Sequence, residues 1–278
     1  MWVLAMSVPS SPARGPEAKR ESHYADSETL DAGVDAGPLP EFLQDRVASG
    51  LHWRFVSQHG PVHVWSPPGY RHDSAGIAVY VHGYYTDVDE AWIRHRLAEQ
   101  FYLSGRNALF IAPEAPAGRH AKVRWRDLGH LIREVRRRVG VKRPWGPVVA
   151  LGHSGAYRTV ASWLDYRPLE QVILLDALYG REHAFREWLE QVKGRPNRLT
   201  MVAIDTLRWS ELFVHGIGYA HARDWVPRDM GELSVEARSS RFVYMRSQYG
   251  HMELITQGEA LPVLLQMTRL PPIPAPGG

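Results

Sequence analysis

Six short apolar segments, separated by longer stretches with helical spacing, limit the folds open to this chain more than any other feature. Each segment is nearly continuous in apolar residues, with polar or glycine-bearing residues at its C-terminal end. That pattern is typical of parallel strands buried on both faces. The segments lie at residues 76–81, 108–112, 148–151, 172–175, 200–204 and 241–245.

An antiparallel hairpin precedes these six segments, since residues 51–57 and 62–65 flank a short polar turn. Helical patterns lie between and after the strands, at 87–103, 124–139, 156–165, 182–192 and 256–268. Strands that alternate with helices imply right-handed crossovers. The sequence therefore predicts an α/β fold, with an eight-stranded mostly parallel sheet, an antiparallel N-terminal hairpin and helices on both faces.

The composition divides the chain into three parts. Residues 7 to about 40 are rich in Ser, Pro, Ala, Gly and acidic residues and carry few bulky apolar ones, which is typical of disorder or a tether. We predict a disordered or linker-like segment at 1–46, a single domain at 47–272 and a flexible tail at 273–278. An aromatic-rich insertion at 209–229 belongs to the domain and is expected near the site.

Composition also excludes several classes of partner. The chain has 44% hydrophobic residues, a net charge of +3 and no cysteine, so disulfides and thiolate metal sites are impossible. The densest basic run, 133–138, follows a helical apolar pattern and reads as a solvated helix face. We therefore expect no nucleic-acid partner. The expected partner is a small-molecule ester or amide, and the oligomeric state stays open.

No apolar stretch is long enough to span a bilayer. The first six residues, MWVLAM, lack a basic region and are too short for a signal-peptide core. A cytoplasmic location is favoured, with export possible if the true start lies upstream. The 14 histidines show no HExxH spacing, and no G-x-G-x-x-G follows a strand. We therefore predict neither a metal nor another cofactor.

One turn carries the strongest chemical signal. The stretch 148–157, VVALGHSGAY, reads as a strand, a tight turn around Ser154 and a helix. Gly152 and Ala156 are small, so the strand and helix backbones can approach closely at the turn. A serine held there points its hydroxyl outward, beside a helix N-terminus that favours negative charge. The turn predicts that Ser154 is a nucleophile.

Over about residues 50 to 270, the chain resembles the α/β-hydrolase superfamily. The resemblance rests on the strand order, the turn Gly152-His153-Ser154-Gly155-Ala156 after the fifth strand, the His82-Gly83 pair after the third strand, and the late His251. Ala156 departs from the family pattern, which usually has glycine there. The resemblance implies an α/β-hydrolase fold, a nucleophile elbow, and a catalytic triad in the chain order serine, acid, histidine.

That order assigns His251, after the last strand, as the general base. It leaves two candidates for the acid, because Asp176 ends the sixth strand and Asp205 ends the seventh. Most relatives carry the acid after the seventh strand, but the expected glycine-containing turn is missing there. Some lipases carry it after the sixth, in a context similar to Leu175-Asp176-Ala177. Asp176 is favoured narrowly over Asp205.

The resemblance also implies an oxyanion hole formed by main-chain N–H groups. Gly155 is expected to supply one of them, and Tyr84, with Tyr85 as the alternative, the other. The residues expected to line the substrate site are His82, Gly83, Tyr85, Tyr157 and Trp209. Further aromatic residues of the insertion, Phe213, Tyr219 and Trp225, are candidates for a wall of the pocket.

The function expected from these residues is that of an esterase- or lipase-like serine hydrolase that works through an acyl-enzyme. A carboxylic ester is the favoured substrate, because it needs the least assistance to its leaving group. Three alternatives stay open: a peptidase or amidase on the same triad, an acyltransferase on the same triad, and a hydrolase-fold protein that only binds ligands.

Overall fold

Nine strands form one sheet in the computed structural model, which describes residues 40–191 and 196–275. Their spatial order is β1-β2-β4-β3-β5-β6-β7-β9-β8. The pairs β1–β2 and β2–β4 are antiparallel, and all the others are parallel. The strands are β1 Leu51–Ser57, β2 Gly60–Ser66, β3 Gly76–Val81, β4 Ala108–Pro113, β5 Val148–His153, β6 Leu169–Leu175, β7 Arg198–Ala203, β8 Ala220–Arg223 and β9 Phe242–Arg246.

The central strands are apolar throughout because both faces of the sheet are covered. Successive side chains of a strand point to opposite faces. In β3, Ile77 and Val79 join one core cluster, whereas Ala78 and Tyr80 join the other. Every residue of β3, β4 and β5 is buried. A double-sided core thus fixes the sheet whose carboxyl edge carries the candidate site.

Ten α-helices occur in the part of the chain that the structure describes. Asp87 and Asp127 cap the starts of α2 and α4 by accepting hydrogen bonds from backbone N–H groups. The helices are α1 Glu41–Ala48, α2 Val88–Arg94, α3 Leu97–Leu103, α4 Leu128–Val139, α5 Tyr157–Ala161, α6 Glu182–Glu190, α7 Leu207–His215, α8 Val235–Ser239, α9 Glu253–Thr256 and α10 Ala260–Gln266.

The predicted fold class is confirmed, with one more strand than expected. The additional strand, β8, has four residues and lies at the edge of the sheet, and its sequence AHAR has no apolar run to reveal it. The helix expected at 87–103 is two helices, because Arg96 adopts a left-handed conformation with φ 48°. The helix expected at 256–268 is shorter, α10 at Ala260–Gln266, and the short helix α9 at Glu253–Thr256 precedes it.

The N-terminal helix α1 changes one predicted boundary. Residues 41–46, assigned from sequence to the linker-like segment, form most of this helix, and Val47 packs against the core. Residues 1–39 of that segment lie outside the described part. At the other end, the Ile273 N–H donates to the Gly105 carbonyl at 2.8 Å, and residues 276–278 are also outside the described part. No described helix is both long and apolar enough to cross a membrane.

Candidate active site

Ser154 lies at the carboxyl end of β5 in a left-handed backbone conformation, with φ 52°. Such a conformation is strained for any residue but glycine and persists only where the surroundings impose it. The surroundings here are close: a Cβ built on Gly152 would lie 2.9 Å from Cγ2 of Val160 and 3.3 Å from Cβ of Ala156. The tight strand–turn–helix unit inferred from these small residues is what the chain forms.

His251 follows β9 and contacts Asp176, which follows β6. Nδ1 of His251 lies 2.6 Å from Oδ2 of Asp176. A carboxylate only accepts hydrogen bonds, so Nδ1 carries the proton in this pair. In a neutral imidazole, Nε2 is then the basic nitrogen. The contact with Asp176 fixes the orientation of the His251 ring.

Asp176 is completely buried and is held by the turn after β7. Its carboxylate accepts backbone N–H groups from Ile204 at 2.8 Å, Asp205 at 3.1 Å and Thr206 at 3.0 Å, and the Thr206 hydroxyl at 2.7 Å. Burial, the largest influence, favours the neutral acid. The opposing influences, from His251 first and then Thr206 and the Ile204 N–H, prevail and lower the pKa of Asp176 to about 2. Asp176 is therefore ionised at neutral pH.

Asp205 stands beside the same histidine but in a weaker position. Its Oδ2 is 3.7 Å from Nδ1 of His251, beyond hydrogen-bond distance, and its side chain is 63% exposed. Partial burial and the charge of Asp176 raise the pKa of Asp205. Of the two acids that the sequence left open, Asp176 makes the hydrogen bond to His251, and Asp205 contributes its backbone N–H to Asp176.

The turn after β3 approaches the serine closely. A Cβ built on Gly83 would lie 2.9 Å from Cβ of Ser154, and one built on Gly155 would lie 2.4 Å from Cζ of Tyr84. The Tyr85 N–H donates to the Ala117 carbonyl at 3.1 Å. That bond corrects the alternative in which Tyr85 supplies an oxyanion donor. Gly155 and Tyr84 remain as the candidate donors.

Solved structures with a similar fold identify this architecture. The feruloyl esterase module of Clostridium thermocellum, in an S954A form complexed with sinapinate, superposes with a TM-score of 0.53 at 11% identity, over 83% of this chain and 94% of that one. The chain has the α/β-hydrolase fold.

Two further similar structures have TM-scores below 0.5. They are a predicted CIB-like hydrolase from Thermoplasma acidophilum (TM-score 0.48, 14% identity, 78% of this chain and 97% of that one) and an esterase from Pyrobaculum calidifontis (0.47, 13%, 81% and 87%). No protein-family model matches the sequence, and no curated protein matches it. The fold assignment rests on the superposition with the Clostridium thermocellum module, at an identity of 11% that shows the fold alone.

The sequence places His153 in the serine turn but predicts no role for its side chain. On this α/β-hydrolase fold its buried ring lies under His251, with ring centroids 4.5 Å apart, and its Nε2–H donates to the His251 carbonyl at 3.2 Å. Burial first, and then the neighbouring histidines His251 and His95, hold the pKa of His153 well below its usual value. His153 is in the serine turn itself, but residues nearly a hundred positions later complete its contacts.

His82 is buried and braces two loops with both of its ring nitrogens, in contrast to the substrate contact predicted from the sequence. Its Nε2 accepts the Ala115 N–H at 2.9 Å, so the proton is on Nδ1, which donates to the Gly83 carbonyl at 2.8 Å. Burial lowers the pKa of His82 to about 4. Gly83 likewise acts through close backbone packing. Together they hold the turn after β3 against Ser154.

The aromatic residues separate into site and core. Tyr157 and Tyr179 have ring centroids 6.4 Å apart, and Tyr179 and Trp209 6.2 Å apart, in a row that starts three residues after Ser154. Tyr85 is exposed at the rim. Phe213 is instead buried against Phe242, which corrects its expected place in a pocket wall.

The two other aromatics of the insertion each contact an arginine. The Tyr219 ring packs under Arg241, and the Trp225 ring packs under Arg223.

Three side chains at the site have the chemistry of metal ligands. Donor atoms of Asp176, Asp205 and His251 lie within 4.8 Å of one another, and the described residues include no other such group. The two best-placed atoms, Nδ1 of His251 and Oδ2 of Asp176, are already joined by their hydrogen bond.

Proposed function

We propose that the protein is a serine hydrolase that cleaves carboxylic esters through an acyl-enzyme. The observation that carries the proposal is the 2.6 Å contact between His251 and the buried, ionised Asp176, at the sheet edge where Ser154 occupies a strained turn. A hydroxyl nucleophile needs a base within its reach and an acid that orients the base, and His251 and Asp176 supply the oriented pair.

In the proposed reaction, Nε2 of His251 accepts the proton of the Ser154 hydroxyl as Oγ attacks the ester carbonyl. The N–H groups of Gly155 and Tyr84 stabilise the negative oxygen of the tetrahedral intermediate. The intermediate collapses, the C–O bond to the alcohol breaks, and His251 returns its proton to the alcohol. Water then attacks the acyl-enzyme by the same route and releases the acid and Ser154.

Esters are preferred to amides because an alkoxide leaves with little help, whereas an amine must be protonated as it departs. The structurally similar protein of Clostridium thermocellum is described as a feruloyl esterase module, which agrees with an ester substrate. An amidase or an acyltransferase would use the same three residues, and a binding protein would leave them idle.

A fluorophosphonate probe tests the proposal directly, because it phosphonylates activated serines in folded proteins. We expect labelling at Ser154, identified by peptide mass spectrometry, and none in Ser154→Ala. Turnover of 4-nitrophenyl acetate should fall by about 10³-fold or more in Ser154→Ala and in His251→Ala. A folded wild-type protein that is neither labelled nor active would favour a binding role. Activity on 4-nitroanilides comparable to that on the matching esters would favour an amidase.

A further inference from the structure

We propose that the site selects esters that carry an anionic group such as a carboxylate, bound by Arg158 and Arg181 beside Tyr84 and Tyr157. This proposal rests on the proposed function, because it names the substrate class of the same site. Its basis is the position of two arginines that no carboxylate neutralises in the described part of the chain.

Arg158 lies in α5, four residues after Ser154. Its guanidinium donates to the carbonyls of Arg119 at 2.5 Å and Ala121 at 2.8 Å, and contacts the Tyr84 hydroxyl at 3.4 Å. All of these partners are neutral, and no described carboxylate forms an ion pair with Arg158. No described carboxylate therefore offsets the positive charge of Arg158 beside the Tyr84 ring, which covers Gly155.

Arg181 is brought to the same place by the turn after β6. Gly180 packs against Tyr157, since a Cβ built there would lie 3.3 Å from Cε2 of the ring, and Arg181 follows in a left-handed conformation with φ 66°. Its side chain is exposed, and it forms no ion pair with any described residue. An exposed, unpaired guanidinium at a site edge is placed to meet a ligand.

The Tyr157 hydroxyl is influenced by these arginines. Burial, and then Tyr84, raise the pKa of the Tyr157 hydroxyl, and the charges of Arg158, Arg119 and Arg181 oppose that rise. Three guanidinium groups thus act on one hydroxyl that lies three residues from the nucleophile.

The acids of the site are gathered at the histidine. Oδ2 of Asp176 is 2.6 Å and Oδ2 of Asp205 is 3.7 Å from Nδ1 of His251, whereas the charges of Arg158 and Arg181 act on Tyr157. An ester with a charged end would be oriented by this difference, its anion drawn toward the arginines and repelled from the acids. The planar guanidinium suits a carboxylate because two parallel N–H groups match its two oxygens.

Two pairs of rigid esters test the proposal and locate the charge. Monomethyl against dimethyl terephthalate places the anion on the acyl side, and 4-acetoxybenzoate against methyl 4-acetoxybenzoate places it on the leaving-group side. We expect kcat/KM at low salt to be about tenfold higher or more for the anionic ester of at least one pair, because a charge-assisted hydrogen bond contributes about 1.5–3 kcal/mol. Raising the ionic strength should reduce that ratio.

Arg181→Gln should lower the anionic-to-neutral ratio about tenfold, and Arg158→Lys, which keeps the charge but loses the fork, should lower it less. Arg137→Gln is the control, since Arg137 is in the last turn of α4 and is ion-paired with Glu134, so its loss should leave the ratio unchanged. A ratio of one or below in both pairs, or a ratio that neither variant changes, overturns the proposal.

Failure of the proposed function would look different. If no ester of either pair is hydrolysed, calorimetric titration of Ser154→Ala with terephthalate against terephthalamide still decides the point. Tighter binding of terephthalate, weakened by Arg181→Gln, supports the anionic site, and equal binding overturns it.

Discussion

The carboxylates of Asp176 and Asp205 both lie near His251, but their surroundings differ. Asp176 is enclosed, accepts four hydrogen bonds besides that of His251, and is ionised over the whole physiological range. Asp205 is mostly exposed and 3.7 Å from Nδ1 of His251. A base is oriented by the acid that holds its proton, so the proposed triad depends on Asp176.

Asp176→Asn is expected to lower kcat by about 10⁴-fold, because an amide can donate to Nδ1 and so favours the wrong tautomer of His251. Asp205→Asn should lower kcat by less than about tenfold, since its backbone N–H, which bonds to Asp176, is retained. Hydrolysis of 4-nitrophenyl acetate measures both, with thermal unfolding as the check on folding. Equal, mild losses in the two variants would contradict the assignment.

The sequence could not decide between these acids, and the reason is local geometry. Each aspartate directly follows an apolar run in the sequence, Asp176 after 172–175 and Asp205 after 200–204. Their sequence contexts are therefore alike. The difference arises because Asp176 adopts φ 45° and turns its carboxylate into the backbone N–H groups of residues 204–206. Neither that conformation nor the bend after β7 has a signature in residue type.

At the scale of elements, the turn between β5 and α5 packs tightly against the turn after β3, where Gly155 contacts the Tyr84 ring. Gly155→Ala would place a methyl group 2.4 Å from Cζ of Tyr84, so the ring or the turn must move. We expect a loss of about 1–3 kcal/mol in the free energy of unfolding, as for other overpacked sites, together with reduced esterase activity. Urea denaturation measures the stability.

The matched control is Gly218→Ala, since a Cβ there meets nothing within 4 Å. Adding Tyr84→Ala to Gly155→Ala should recover part of the lost stability by removing the clashing ring. If Gly155→Ala is as stable as Gly218→Ala, the packing of Tyr84 on the serine turn is not as described.

Elements were predictable where burial alone determines them. Strands such as β3 and β5 are enclosed on both faces, so their apolar runs stand out. The edge strand β8 and the helix α7 were not predicted. β8 is only partly buried and has no apolar run, and α7 buries only Ser210 and Phe213 within an aromatic stretch that resembles a loop.

At the scale of the whole molecule, three buried histidines link stability to pH. Burial lowers the pKa of His82 to about 4 and of His95 to about 3, and that of His153 also falls well below its ordinary value. The unfolded chain binds these protons near pH 6.5, so it binds more protons than the folded protein below that pH. Stability is therefore present in full above pH 6.5 and is lost as the pH falls toward the folded pKa values.

We expect the free energy of unfolding to fall by about 1.4 kcal/mol per histidine for each pH unit below 6.5. Guanidinium titrations between pH 7.5 and 5 measure the slope. His95→Gln, which can still bond to the Tyr80 hydroxyl, should reduce the slope by the share of one histidine. A free energy that is constant over this range would contradict the buried, neutral state of these rings.

The order of the strands has a kinetic consequence. Ser154 follows β5, which lies between β3 and β6 in the sheet. His251 follows β9 and is close to the end of the described chain in sequence. Contacts between residues so distant in sequence must overcome loop-closure entropy before they contribute stability, which makes such topologies slow to fold. The proposed site draws on residues from Tyr84 to His251, so it is complete only when the last strand, β9, has joined the sheet.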